Sequence, residues 1–172
     1  MKVLVAGIGN IFLGDDGFGS EVARRLAGAA LPEGVEVTDF GIRGIHLAYQ
    51  LLDGYDGLVI IDAVRRGDPP GTISVIEPEL DPGGTGDSDS QIRPAVAVDA
   101  HGMDPESVLR SLSALGGSVG RVLVVGCEPL SLEEGIGLSE PVGSALAAAS
   151  GAVLEAVAEL HSSPRESARQ GG

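Results

Sequence analysis

Apolar segments of strand length alternate with segments of helical periodicity along most of the chain. The apolar segments are mostly continuous rather than alternating, which is typical of strands covered on both faces of a sheet. They predict strands at 2–6, 35–39, 58–62, 72–76 and 121–125. Apolar positions with a period of 3.6 predict helices at 17–29, 44–52, 104–115 and 141–160. This alternation predicts an α/β fold: a three-layer α/β/α, doubly wound domain with a mainly parallel, twisted sheet of about five strands.

Two polar segments interrupt this pattern. Residues 79–94 are rich in Gly, Pro, Asp and Ser, which predicts a loop without regular structure, either a mobile lid or a disordered insertion. Residues 161–172 are polar and end in two glycines, which predicts a flexible C-terminal tail. The chain of 172 residues has the length of one domain, and we place that domain at 1–160.

Composition narrows the class of function. Hydrophobic residues make up 43% of the chain but aromatic residues only 3%, so the core must be aliphatic. The formal net charge of -14 disfavours nucleic acids and anionic membranes as partners. The single cysteine, Cys127, cannot form an internal disulfide, and the chain opens without the charged and apolar regions of a secretory leader. We therefore expect a cytoplasmic protein, and we expect it to be a monomer.

The first predicted strand leads into a glycine-rich loop that carries two adjacent acids. A dinucleotide-binding loop needs a third glycine at position 12, where this chain has Phe12. Asp15 and Asp16 would also repel a pyrophosphate at the helix N-terminus. The loop therefore suits a cation or a polar peptide better than a phosphate. A Rossmann-like nucleotide binder, with Asp39 as its ribose ligand, stays open as an alternative.

Three side chains are predicted to meet at the carboxyl edge of the sheet. Asp16 follows the first strand and Asp62 ends the third, while His101 stands just ahead of a helix whose predicted N-cap is Asp104. Doubly wound folds bind their ligands at this edge. Two carboxylates and one imidazole suit nickel, zinc or a similar divalent ion with open positions. The competing interpretations are a helix cap for Asp16 and a capped turn for Asp62.

Other reactive side chains are less favoured. We interpret Asp15 as solvated, His46 as a surface residue of a helix and His161 as part of the tail. Ser118 lies in a G-x-S-x-G match, but a helix precedes it and a strand follows it, the reverse of a nucleophile elbow. Cys127 has an adjacent acid that would raise the pKa of its thiol, so we interpret it as structural.

Several short motifs, each weak alone, occur in a specific order over about 1–160. They are G-I-G-N at 7–10, G-D-D-G-F-G at 14–19, D-F-G-I-R-G at 39–44, I-I-D-A at 60–63, His101, and G-I-G-L-S at 135–139. With these motifs the chain resembles the NiFe-hydrogenase maturation endopeptidases, which remove the C-terminal extension from the hydrogenase large subunit.

The resemblance implies a site and a mechanism. Asp16, Asp62 and His101 would be both the catalytic and the metal-facing residues, and several members carry Glu at the position of Asp16. These residues would engage nickel already held by the large-subunit precursor, so the enzyme would be an aspartic-type peptidase without a tightly bound metal of its own. The metal would polarise a carbonyl or a water, or one carboxylate would act as general base.

The same resemblance implies that Asp39, with Gly41 and Gly44 of the following loop, lines the substrate cleft. The partner would be the hydrogenase large-subunit precursor. Two alternatives stay open beside the nucleotide binder. One is a related germination-type spore peptidase, and the other is a non-catalytic nickel metallochaperone that would bind nickel tightly and cleave nothing.

Overall fold

The computed structural model describes residues 1–78 and 104–162. The strands are β1 (Val3–Ile8), β2 (Val35–Gly41), β3 (Gly57–Ala63), β4 (Ile73–Ile76) and β5 (Arg121–Cys127). The helices are α1 (Phe18–Ala27), α2 (Gly44–Leu51), α3 (Pro105–Ala114), α4 (Glu140–Ser144) and α5 (Leu146–Ser162). A 3-10 turn at Gly14–Gly17 joins β1 to α1. Each predicted strand overlaps a strand of the structure, and each predicted helix overlaps at least one helix.

The strands form one sheet in the order β2-β1-β3-β5-β4. β1 pairs in parallel with both β2 and β3, and β3 pairs in parallel with β5. β4 lies at the edge, antiparallel to β5. Because β2 and β3 lie on opposite sides of β1, the direction of winding reverses between β1 and β3. The crevice outside the carboxyl ends of these two strands is where doubly wound folds bind ligands.

Alternate residues of each strand enter one of two aliphatic cores. Residues 3 and 5 of β1 and residues 59 and 61 of β3 pack against α1 and α5. Residues 4, 6 and 8 of β1 and residues 58 and 60 of β3 pack against α2 and α3. The sheet is therefore the middle of three layers, and the predicted three-layer, mainly parallel fold is confirmed. Both faces are apolar because each is covered by helices.

The C-terminal helical segment differs in detail from the prediction. The pattern at 141–160 forms two helices, because the Ala145 N–H bonds to the Val142 carbonyl oxygen at 3.0 Å and tightens the turn between α4 and α5. α5 then continues to Ser162, beyond the predicted end. Its last turn is held by side chains, since the Ser162 hydroxyl donates to the Glu159 carbonyl oxygen at 3.1 Å.

Three predictions fall outside the described residues. They are the irregular loop at 79–94, the position of His101, and the tail beyond Ser162. Within the described ranges, no helix combines the length and the apolar character needed to cross a membrane.

Candidate functional site

The glycine-rich loop after β1 folds back closely on its neighbours. Gly9 has a φ of 133°, and a Cβ there would collide with the carbonyl oxygen of Asp16, so the position requires glycine. The Gly9 N–H donates to the Gly41 carbonyl oxygen at 2.9 Å, which joins this loop to the end of β2. A Cβ on Gly19 would collide with the backbones of both β1 and β3. The first turn of α1 therefore lies directly against the ends of these two strands.

Asp16 lies in the 3-10 turn, and its side chain is half-buried. The Asn10 N–H donates to its Oδ2 at 2.8 Å. The N-cap of α1 is Gly17, which has no side chain to accept a hydrogen bond. The interpretation of Asp16 as the cap of this helix is therefore wrong, because its carboxylate turns back toward the loop that follows β1.

Asp62 is the penultimate residue of β3 and is half-buried. Alternation along the strand places it on the same face as Ile60, which is the face covered by α2 and α3. Its neighbour Ile61 lies against the first turn of α1 at Gly19. The structure therefore brings Asp16 and Asp62 to the same edge of the sheet, on neighbouring elements.

The start of α3 bears on the third predicted residue, although His101 itself lies outside the described part of the chain. Asp104 caps α3 as predicted: its Oδ1 accepts the Ser107 N–H at 2.9 Å and its Oδ2 accepts the Ser107 hydroxyl at 2.6 Å. Pro105 begins the helix. Because residues 115–120 lead from the end of α3 into the amino end of β5, α3 begins on the carboxyl side of the sheet. The meeting of His101 with the two acids stays a prediction.

The two carboxylates do not make a metal site by themselves. Over 1–78 and 104–162, no group of three or more His, Cys, Asp or Glu side chains is arranged to hold a metal ion. Asp16 and Asp62 alone supply fewer donors than a nickel or zinc ion takes in proteins. A divalent ion at this edge would need further donors, from His101 or from a bound partner.

Asp15 is buried, with 1% of its surface exposed. Its Oδ1 accepts the Ser139 N–H at 2.7 Å, and its Oδ2 accepts the Ser139 hydroxyl at 2.8 Å and the N–H groups of Leu130 and Ser131 at 2.8 and 3.1 Å. Burial would raise the pKa of this carboxyl, but these hydrogen bonds together outweigh burial and lower the pKa. The interpretation of Asp15 as solvated is therefore wrong. Its carboxylate ties the loop at 130–139 to the loop after β1.

Asp39, at the end of β2, contacts α1 and the turn that follows its own strand. Its Oδ1 accepts the Ser20 hydroxyl at 2.7 Å and the Gly41 N–H at 3.0 Å, and its Oδ2 accepts the Arg24 Nε–H at 3.2 Å. These contacts hold α1 beside β2 and hold the turn at Gly41, where φ is 55°. Gly44 begins α2 and is buried. Contact of these residues with a substrate stays a prediction.

Comparisons with known proteins show the family of this chain. The family model described as HycI, hydrogenase maturation protease, matches residues 20–156, well over half of the chain. The chain belongs to the hydrogenase maturation protease family. It is 33% identical to the hydrogenase expression/formation protein HupD of Rhizobium leguminosarum bv. viciae over 150 residues, which cover 86% of this chain and 70% of HupD.

Two further comparisons, one of sequence and one of structure, extend the similarity to nearly the whole chain. The hydrogenase 2 maturation protease of Escherichia coli (strain K12) is 31% identical over 170 residues, 96% of this chain and 98% of that protein. The structure of the hydrogenase maturating endopeptidase HybD from E. coli superimposes with a TM-score of 0.70 at 30% identity, covering 92% of this chain and 93% of that one. The resemblance to the maturation endopeptidases is therefore confirmed.

Family membership does not favour the nucleotide binder, the spore peptidase or the metallochaperone. The geometry of the loop after β1 also argues against a nucleotide binder. The Asn10 N–H, which would be a donor to a phosphate in such a loop, donates to the Asp16 carboxylate. Phe12 stands at the position of the required glycine, and 60% of its surface is exposed.

Cys127 is a core residue at the end of β5, with 1% of its surface exposed. Burial, followed by the charges of Asp15 and Glu128, raises the pKa of its thiol to about 11. The thiol is therefore protonated at neutral pH and is a poor nucleophile. The interpretation of Cys127 as structural agrees with this, although burial contributes more than the adjacent acid that the sequence indicated.

The G-x-S-x-G match is the end of a helix, as predicted. The Gly116 N–H donates to the Ser113 carbonyl oxygen and the Gly117 N–H to the Leu112 carbonyl oxygen, both at 3.0 Å. With Gly116 at a φ of 80°, these bonds form a Schellman cap on α3. No strand enters this serine loop, so it has none of the geometry of a nucleophile elbow.

The two described histidines lie on helices. His46 is exposed in the first turn of α2, as predicted for a surface residue. His161 lies in the last turn of α5, where its Nδ1 is 2.8 Å from the Val157 carbonyl oxygen. Part of the predicted tail is therefore helical.

Sequence reasoning missed the contact between Asp15 and Ser139. The two residues are 124 positions apart, and no local spacing connects them. The available signal was weak: both lie in glycine-rich segments, and a buried acid needs several hydrogen-bond donors that such segments offer from their backbone.

Proposed function

We propose that the protein is the endopeptidase that removes the C-terminal extension from the nickel-loaded large-subunit precursor of a NiFe hydrogenase. The family supports the general activity, because its relatives are named hydrogenase maturation proteases. The observation that carries the proposal is the position of Asp16 and Asp62. Asp62 lies at the carboxyl end of β3 and Asp16 in the turn that follows the neighbouring parallel strand β1, at the crevice where this class of fold binds ligands.

In the proposed mechanism the nickel ion arrives with the substrate. The precursor holds the ion, and Asp16, Asp62 and His101 bind it from the side of this chain, which brings the scissile peptide to the carboxyl edge. The Asn10 N–H, 2.8 Å from Asp16 Oδ2, orients that carboxylate. Water attacks the scissile carbonyl carbon, a carboxylate takes its proton, and the proton passes to the leaving amine as the C–N bond breaks. The nickel ion polarises the carbonyl or the water.

This mechanism makes nickel insertion a checkpoint. Asp16, Asp62 and His101 supply too few donors to retain nickel tightly alone, so the ion would be shared only when the precursor supplies the remaining ligands. A precursor without nickel would bind poorly and stay uncleaved. We further propose an aspartic-type peptidase that acts as a cytoplasmic monomer and has no resident metal.

The direct test is cleavage of purified precursor with and without nickel. The protein is incubated with each form, and the mass of the precursor's C-terminus is measured with time. We expect loss of the extension from the loaded precursor only. Equal cleavage of both forms would contradict the checkpoint. Tight nickel binding by the protein alone, without any cleavage, would instead support the metallochaperone.

Substitutions at the proposed site test the residues. We expect Asp62→Ala, His101→Ala and Asp16→Ala each to slow cleavage by about 100-fold or more, and Asp16→Glu to be partly active. Asp53→Ala, an exposed acid just after α2, is the matched control and should cleave at the normal rate. Thermal unfolding should show changes below about 1 kcal/mol for Asp62→Ala, because the position is only half-buried. Normal processing by Asp62→Ala would overturn the assignment.

A further inference from the structure

Large hydrophobic side chains are most exposed near the glycine-rich loop. Among the described residues, the three most exposed are Ile136, Phe12 and Ile42, with 83%, 60% and 60% of their surfaces accessible. We call these three side chains the apolar rim. Exposed hydrophobic residues on the outer helices are better covered, as at Leu154 of α5, which is 39% exposed. Grouped exposed apolar side chains mark interaction surfaces more often than isolated ones do.

Backbone hydrogen bonds tie the three segments that carry the apolar rim to one another. The Gly135 N–H donates to the Phe12 carbonyl oxygen and the Gly14 N–H donates to the Gly135 carbonyl oxygen, both at 2.9 Å. These bonds place Ile136 beside the loop of Phe12. Ile42 follows Gly41, whose carbonyl oxygen accepts the N–H of Gly9 in the same loop. The three segments that carry the apolar rim are therefore held next to one another by backbone hydrogen bonds, which we call the backbone framework.

The same framework reaches Asp16 in two hydrogen bonds. The Phe12 N–H donates to Asn10 Oδ1 at 2.9 Å, and the Asn10 N–H donates to Asp16 Oδ2 at 2.8 Å. The buried Asp15 carboxylate accepts the Ser139 N–H and so holds the loop at 130–139, which carries Ile136. The loop that carries Phe12 is therefore joined directly to the Asp16 carboxylate.

We propose that the apolar rim binds apolar side chains of the large-subunit precursor next to the scissile bond and so determines which C-terminal segments are cleaved. This inference rests on the proposed function. The occupant is an extended peptide, because an endopeptidase must hold its substrate chain on both sides of the cleaved bond. The net charge of -14 does not attract acidic peptide segments. Burial of apolar side chains stabilises a complex whatever the charge of the bound peptide. Continuity with Asp16 distinguishes this surface from the exposed residues of the outer helices.

Steady-state cleavage of nickel-loaded precursor tests the inference. Phe12→Ser and Ile136→Ser remove one apolar side chain each without opening the core, since both are exposed. We expect KM to rise about tenfold in each and kcat to stay within about twofold, because the lost contact supports binding rather than chemistry. Phe12→Leu should restore most of the affinity. The matched control is Leu154→Ser on α5, which should leave both constants unchanged.

Several outcomes would overturn the inference. They are an unchanged KM in both serine variants of an active enzyme, an equal rise in KM for Leu154→Ser, or a fall confined to kcat. Size-exclusion chromatography adds another: a dimer that dissociates in Phe12→Ser would assign the apolar rim to a second copy of the chain. Binding of loaded precursor to the protein, measured by calorimetry in the Asp62→Ala background, separates this inference from the proposed function. If the unsubstituted protein does not cleave loaded precursor, but affinity is still lost when Phe12→Ser is added to Asp62→Ala, the function is refuted and the docking surface is kept.

Discussion

Asp15 and Asp16 are adjacent in sequence but have different environments. Asp15 points into the protein and accepts four hydrogen bonds, two of them from Ser139. Asp16 is half-buried at the crevice and accepts the Asn10 N–H. The tight 3-10 turn separates the directions of the two side chains, because successive residues of such a helix point about 120° apart. One acid therefore holds the site together, while the other lies at the crevice.

The buried acid predicts a pH-dependent loss of stability in Asp15→Asn. Because the pKa of Asp15 is lowered by folding, the carboxylate stabilises the folded state above the ordinary Asp pKa of about 3.9, and this contribution is lost as the pH falls through the lower folded value. We expect Asp15→Asn to reduce the free energy of unfolding at pH 7 by about 2–4 kcal/mol. Urea unfolding at a series of pH values measures the difference from the native sequence.

The deficit of Asp15→Asn should begin to shrink below about pH 4, because the Asp15 carboxyl of the unfolded native sequence then starts to be protonated while the folded carboxylate, with its lowered pKa, stays ionised to lower pH. Asp53→Asn, at an exposed position, serves as control and should show no deficit at any pH. A deficit that stays constant from pH 7 to well below pH 4 would show that shape, and not charge, accounts for the effect.

Cys127→Ala should retain cleavage of the loaded precursor. The thiol is buried and its pKa is raised to about 11, so little thiolate is present at neutral pH. Removing the sulfur leaves a small cavity, which we expect to cost about 1 kcal/mol of stability. Precursor cleavage and thermal unfolding are measured on the same sample. Loss of most activity in a variant that is still folded would indicate a cysteine mechanism.

At the scale of elements, close approach of α1 to the sheet positions the crevice. A Cβ on Gly19 would meet backbone atoms of β1 and β3, which cannot move aside as a flexible side chain could. We expect Gly19→Ala to destabilise the fold by about 3 kcal/mol, since α1 must shift away from both strands. Gly151→Ala is the matched control: an added Cβ on this α5 residue has no neighbour within 4 Å.

The control should change stability in the opposite direction. Gly151 lies inside α5, where replacing glycine by alanine stabilises a helix by about 0.5–1 kcal/mol. Equilibrium unfolding in urea compares both variants with the native sequence. Equal stability of Gly19→Ala and the native chain would show that α1 is not confined by the two strands.

Local sequence patterns predicted the positions of the strands and helices better than they predicted the contacts between distant parts of the chain. The apolar run that ends at Asp62 is enough to predict β3, because both faces of the strand are covered. The antiparallel direction of β4 depends on how the chain returns to the sheet, which no pattern within 72–76 encodes. Asp16 and Asp62 could be placed at one edge because parallel strands end together. The buried role of Asp15 could not, because its donors lie at 130–139.

At the scale of the whole molecule, an excess of acidic residues coexists with a local network of ion pairs. The formal net charge is -14, so most acids repel one another across the surface. Arg121, at the start of β5, instead binds two acids: its Nε lies 2.7 Å from Glu77 and its second guanidinium nitrogen 2.6 Å from Glu159. This network joins the end of β4 to α5 at the amino edge, opposite Asp16 and Asp62.

Salt should raise Tm by weakening the repulsion among the acids and lower Tm by weakening the ion pairs of Arg121. The larger of these two effects decides whether Tm rises or falls. Raising KCl from about 0.01 M to about 0.1 M shortens the screening length from about 30 Å to about 10 Å, which weakens long-range repulsion. Exposed ion pairs are worth at most about 1 kcal/mol each, so screening them costs little. We expect Tm to rise over this range, and to rise more steeply in Arg121→Gln, which is more acidic and lacks the network. A Tm that falls with KCl would mean that ion pairs, and not net repulsion, dominate the electrostatics of this fold.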